Sequence, residues 1–113
     1  MKDDMKIISV YTRKQAISDG VLIDISQHAK GLFKAPVAIT DTAFEMLVDK
    51  FSDFNGFDAE DVLKRLMNCF FSLAQFSKSS QLIFDFEGYT FKSIASGGDS
   101  GELVLTIMLP EED

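Results

Sequence analysis

A chain of 113 residues, 46% hydrophobic with eleven Phe and no Trp, is sized for one domain with a phenylalanine-rich core. Its net charge of −7, from 18 acids against 11 bases, argues against general nucleic-acid binding, because phosphate contacts need a surplus of Lys and Arg. With one Cys and one His there is no internal disulfide to form and too few ligands for a zinc site.

Residues 1–5 read as a frayed tail, acidic where a signal peptide would be basic. No stretch approaches the roughly 20 apolar residues of a membrane span, so a cytoplasmic protein that avoids membranes is expected. Lys6–Tyr11 has a strand composition. Thr12 then starts a helical turn, with Thr12 and Gln15 at capping-box spacing, and Gly20 is placed to end it. Val21–Ile25 is a short apolar strand, and Ser26–Lys30 one helical turn stopped by Gly31. Ala35-Pro36 forces an extended entry into Val37–Ile39.

Thr40 or Asp41 caps a helix over Thr42–Lys50, with Ala43, Phe44, Leu47, Val48 and Phe51 at helical spacing. Asn55-Gly56 marks a turn. The clearest helix is Asp58–Phe76: Asp58 caps it, Glu60 and Asp61 suit its positive end, and Phe57 and Val62 have hydrophobic-staple spacing. Its apolar stripe takes in Ala59, Val62, Leu63, Leu66, Met67, Phe70, Leu73 and Ala74, opposite a wet face. After the Ser77–Ser80 linker the period changes to two, with Leu82, Phe84 and Phe86 alternating against Ile83, Asp85 and Glu87. Gly88-Tyr89 turns the chain into Thr90–Ala95, Ser96–Gly101 is a loose glycine-rich connection, and Leu103–Leu109 is a strand stopped by Pro110. The expected fold is a single α+β domain: a small, mainly antiparallel sheet, with a C-terminal three-stranded meander, packed against two helices.

Few residues could carry chemistry. A nucleophile–histidine device must use His28, and its only thiol partner, Cys69, borders the buried helix stripe, where free cysteines are usually small core residues. Asp19, Asp24 and Asp41 match no calcium loop, so no metal and no cofactor is expected. The Gly97–Gly101 stretch lacks the following helix and the Gly-Lys-Ser/Thr ending of a phosphate loop. Thr12, Arg13, Asp19 and Asp24 carry the most information. Either they form a rigid corner, with Arg13 or Lys14 pairing with Asp19 or Asp24, or Arg13 and Asp24 face a groove and contact a partner or ligand. A carboxylate beside an Arg stays ionised, which suits recognition better than proton transfer. Phe51, Phe54 and Phe57 read either as a satellite core or as an exposed patch.

Four blocks, Tyr11–Asp24, Pro36–Thr40, Asp61–Leu66 and Gly98–Asp113, together resemble a family of small proteins carried by phages, plasmids and genomic islands. Relatives in that family often carry a Trp-containing segment after the second block, where this chain is Phe-rich and holds Asn55-Gly56. The resemblance implies a bacterial or phage accessory protein and supplies no catalytic residues. Together with the lack of a catalytic constellation, it leads to a non-enzymatic interaction module of a mobile element whose partner is another protein. In one version it is an anti-defence protein whose carboxylates imitate nucleic-acid phosphates. The alternative is a small enzyme or ligand-binding domain using Arg13, Asp19 and Asp24 in a pocket, and a homodimer through a strand edge or the Phe71 margin is a third possibility.

Overall fold

The computed structural model describes residues 11–29, 31–51, 58–75 and 79–112. In chain order the elements are α1 (Arg13–Ser18), β1 (Leu22–Asp24), a 3-10 turn (Ser26–Ala29), β2 (Val37–Thr40), α2 (Asp41–Phe51), α3 (Ala59–Ala74), β3 (Gln81–Phe86), β4 (Tyr89–Gly97) and β5 (Leu103–Met108). The strands form one mixed sheet in the order β1-β2-β5-β4-β3. All pairings are antiparallel except β2 with β5, where Val37 sits opposite Leu105 and Ile39 opposite Ile107. The fold is therefore the expected α+β class, with β3–β5 as the meander.

Local chemistry explains the element boundaries. Thr12 Oγ1 accepts from the Gln15 N–H at 3.0 Å and Gln15 Oε1 accepts from the Thr12 N–H at 3.0 Å, completing the capping box of α1. At the other end, the Gly20 N–H bonds the Ile17 carbonyl and the Val21 N–H bonds that of Ala16, a Schellman stop that needs the left-handed φ of +82° at Gly20. Of the two residues anticipated to cap α2, Thr40 is the one that does: its Oγ1 accepts from the Ala43 N–H at 3.2 Å, while Asp41 is the first residue of the helix. Asp58 accepts from the Glu60 N–H to start α3. Between β3 and β4, Glu87 and Gly88 both take positive φ, the primed turn whose twist matches paired strands.

Val62, Leu63, Leu66, Met67 and Phe70 of α3 and Ala43, Leu47 and Phe51 of α2 are buried against one face of the sheet. The phenylalanines form a stacked run there, with ring centroids 5.1 Å apart for Phe33–Phe70, 5.4 Å for Phe70–Phe84 and 5.9 Å for Phe84–Phe91. Four residues of β2 in a row are buried, as in a central strand with both faces covered. Leu73 departs from the expected stripe and is 42% exposed, because it lies in the last turn of α3, past Phe70. Phe51 packs in the main core, whereas Phe54, Phe57, Asn55-Gly56 and all of the expected first strand except Tyr11 lie outside the described residues. Tyr11 itself is not in a strand.

Candidate functional site

The helix-packed face of β5 carries Leu105 and Ile107, so by alternation Val104, Thr106 and Met108 point to the opposite face. There α1 is held by contacts that span almost the whole sequence. Arg13 donates from one guanidinium nitrogen to Thr106 Oγ1 at 2.8 Å and from the other to the Leu105 carbonyl at 2.9 Å. The Asp99 carboxylate accepts the Arg13 and Lys14 backbone N–H groups at 2.8 and 3.0 Å. Helix α1 thus begins with its first N–H groups satisfied from the β4–β5 loop and from Thr12, an arrangement that also places a carboxylate at the positive helix end.

That loop is not a loose connection. The Gly98 N–H bonds the Glu102 carbonyl, the Gly101 N–H bonds Gly98, and Glu102 Oε1 accepts from the Ser100 N–H. The two backbone N–H bonds hold the Asp99 carboxyl below its usual range, against partial desolvation and with help from the Arg13 and Lys14 charges. Burial pulls the Arg13 guanidinium down from its normal value, while Asp24, Asp99 and Glu102 counter that effect.

The other two corner carboxylates have separate local partners. Asp19 accepts from the Tyr11 hydroxyl at 2.7 Å, which raises the phenol's pKa. Asp24 Oδ1 accepts the Ser26 N–H at 3.0 Å and the Ser26 hydroxyl at 2.7 Å, starting the 3-10 turn. Arg13 therefore feels Asp24 electrostatically while its hydrogen bonds go to Thr106 and Leu105.

Beside α1 lies a cleft of about 550 Å³, whose walls include Tyr11, Thr12, Arg13 and Val21 and whose floor includes Ile94 and Thr106. Of the four residues singled out from the sequence, Thr12 and Arg13 border this cleft, and Asp19 and Asp24 are not among its described walls. A shallower hollow of about 250 Å³ flanks the other side of the helix, against Ile17, Pro36 and Asp99. At the cleft's far end Glu112 Oε2 accepts from the Thr40 hydroxyl and the Leu109 N–H, and the buried Lys92 ammonium donates to the Glu112 carbonyl. Sequence reading missed Asp99, Thr106 and Glu112, and it gave Thr40 only a capping role. The Ser/Gly-rich run around Asp99 was the one available signal, since a lone acid within it is a natural cap.

Cys69 and His28 do not form a pair. The thiol donates to the Asp85 carbonyl at 3.4 Å, and the imidazole Nε2 lies 3.3 Å from the Gln27 amide. Desolvation, then Glu87 and Asp85, push the thiol pKa up. Among the described residues there is no cluster of three His, Cys, Asp or Glu side chains that could hold a metal, and no helix is long and apolar enough to cross a membrane.

Residues 2–69 match a family of unknown function, DUF6573. The chain belongs to this family. The DUF6573 match spans the corner, β1, β2, α2 and most of α3, and it stops before the strands that supply Asp99 and Thr106. No curated protein and no solved structure matches the chain.

Proposed function

We propose that this protein is a non-enzymatic interaction module of a mobile genetic element that binds another protein through the face carrying α1. The observation that carries this reading is how the corner is arranged. Arg13, Asp19, Asp24 and Asp99 are all engaged in holding backbone and neighbouring side chains, while Tyr11, Ile17 and Val21 on the same corner are 56%, 36% and 44% exposed. Apolar side chains on a rigid, internally bonded support are what a partner surface uses, and they offer no proton-transfer device. The mobile-element setting is supported by the resemblance of the four sequence blocks. The charge of −7 suits a basic partner, including a nucleic-acid-binding defence enzyme for which carboxylates stand in for phosphates.

The test is a low-salt pull-down from host lysate with the wild type and with Ile17→Asp and Val21→Asp. A stoichiometric protein captured by the wild type and lost by both variants, with circular dichroism unchanged, supports the reading. Equal capture by all three overturns it. Complexes that persist unchanged at high salt remove the phosphate-mimicry version, because exposed charge contacts are screened.

The cleft beside Thr12 and Arg13 favours a second reading, a ligand-binding or small catalytic domain, in which Arg13 lines the cleft while Asp19 and Asp24, the other residues of that reading, are not among its described walls. A ligand that raises the melting temperature of the wild type but not of Arg13→Lys would replace the first reading with this one. A homodimer is tested by light scattering across a concentration series.

A further inference from the structure

On the helix-packed face, β4 carries Phe91, Ser93 and Ala95 in succession, so side-chain volume falls sharply along the strand. Ala74 on α3 and Ala35 on the segment before β2 are small as well. The Phe70–Phe84–Phe91 stack fills the space at the bulky end, and a pocket of about 420 Å³ remains at the other. Phe33, Phe70, Leu82, Ala95 and Leu105 surround it, with Ser93 in its wall and Lys34 the sole charged residue among its described walls.

Ser93 is the second, independent observation. Four polar side chains are buried among the described residues: Thr40, Lys92, Ser93 and Thr106. Thr40 and Lys92 bond to Glu112, and Thr106 is bonded by Arg13. Ser93 is only 4% exposed, and unlike those three its hydroxyl forms no side-chain hydrogen bond with the described residues. No fully enclosed side-chain nitrogen or oxygen among those residues lacks a partner, so the Ser93 oxygen must be reached from the pocket. Its strand neighbours are Leu82 and Ile107, which offer it no side-chain partner. The Ser93 oxygen therefore meets pocket water alone, which a ligand oxygen can replace while its hydrocarbon part covers the apolar walls.

We propose that this pocket binds a small neutral molecule, mostly hydrocarbon, with one hydroxyl that pairs with Ser93. Lys34, Ser79 and Ser80 are the other polar residues of the wall, but the strand neighbours of Ser93 are Leu82 and Ile107, which give no compensation for a buried carboxylate, so the Ser93 end favours a neutral group. A dry cavity of ~150 Å³ accommodates benzene, so this larger, open pocket has room for roughly ten to fifteen non-hydrogen atoms. The site is separate from the α1 face, and its test is independent of the partner-binding reading.

The probe is 1-octanol, followed by amide NMR shifts and calorimetry, with octanoate as the charged comparison. The expected result is saturable shifts centred on Leu82, Ser93, Ala95 and Leu105, with octanoate binding more weakly. Ser93→Ala should weaken octanol about tenfold, the effect of one hydrogen bond. Ala95→Phe should fill the pocket and abolish the shifts while the fold is retained; Ala74→Leu fills it from the helix side should Ala95→Phe not fold. Absence of shifts at those amides, shifts that persist in the filled variant, or octanoate binding more tightly than octanol would each overturn the proposal. Equal octanol affinity in Ser93→Ala would overturn the role of Ser93.

Discussion

Replacing Arg13 with Met tests whether the corner is a structural clamp. The substitution keeps most of the aliphatic stem and removes two charge-assisted bonds, at 2.8 Å to Thr106 Oγ1 and 2.9 Å to the Leu105 carbonyl. Bonds to a charged group are worth about 1.5–3 kcal/mol each. Arg13 is only partly buried, so the solvated half of its guanidinium recovers water when the bonds break, and the sum falls to about 2–3 kcal/mol. For a domain of this size each kcal/mol moves the thermal midpoint by about 4 °C, giving a fall of about 8–12 °C. Arg13→Lys keeps the charge without the planar fork and should lose about half as much. A double-mutant cycle with Thr106→Val, read by urea unfolding, should return a coupling of about 1 kcal/mol or more. If Arg13→Met melts within 2 °C of the wild type, at the scale of ~4 °C per kcal/mol, the clamp argument fails and Arg13 is free to serve a ligand.

Further outcomes are expected. Asp99→Asn should lower the thermal midpoint at neutral pH. The folded Asp99 pKa is depressed, so its stabilisation is present above the unfolded value of about 3.9 and is lost as pH falls through the folded pKa; the two proteins should converge in acid. Gly20→Ala should cost about 1–2 kcal/mol through its φ of +82°, without any steric clash, and speed hydrogen exchange at the α1 corner; unchanged or slower exchange there would refute it. Cys69 should react slowly with iodoacetamide at neutral pH and faster in Glu87→Gln, because one of the charges raising its pKa is gone. Ser93→Ala should leave stability unchanged or higher by up to about 1 kcal/mol, since it deletes a hydroxyl that had no partner; a loss of 2 kcal/mol or more would show a hidden bond.

What could be read from the sequence was whatever short-range chemistry determines. The Thr12–Gln15 capping box, the Gly20 stop, the Asp58 cap and the stripe of α3 from Val62 to Phe70 all depend on residues within a turn or two of one another, and each is where the pattern placed it; Leu73 alone of the expected stripe is exposed. The period-two run Leu82–Phe86 likewise gave the right inward face. The unread parts are long-range. Arg13 is 93 residues from Thr106 and 86 from Asp99, and no spacing rule links such pairs. The electrostatic guess of an Arg13 pair with Asp19 or Asp24 followed from charge alone. It could not anticipate that Tyr11 and Ser26 would occupy those carboxylates first. The parallel β2–β5 pair was equally hidden, because a run such as Val37-Ala-Ile39 shows that a strand is central without saying which strand lies beside it.

The strand order also has a consequence for synthesis. The final strand in sequence, β5, is the middle strand of the sheet, between β2 and β4. Until Leu103–Met108 leaves the ribosome, the emerging chain can make only two separate pieces, β1 with β2 and β3 with β4, each showing an unpaired edge. Arg13 and the first turn of α1 also wait for Asp99 and Thr106. Completion of the sheet is thus coupled to completion of β5, and a chain truncated before it would carry two open edges that invite aggregation or proteolysis.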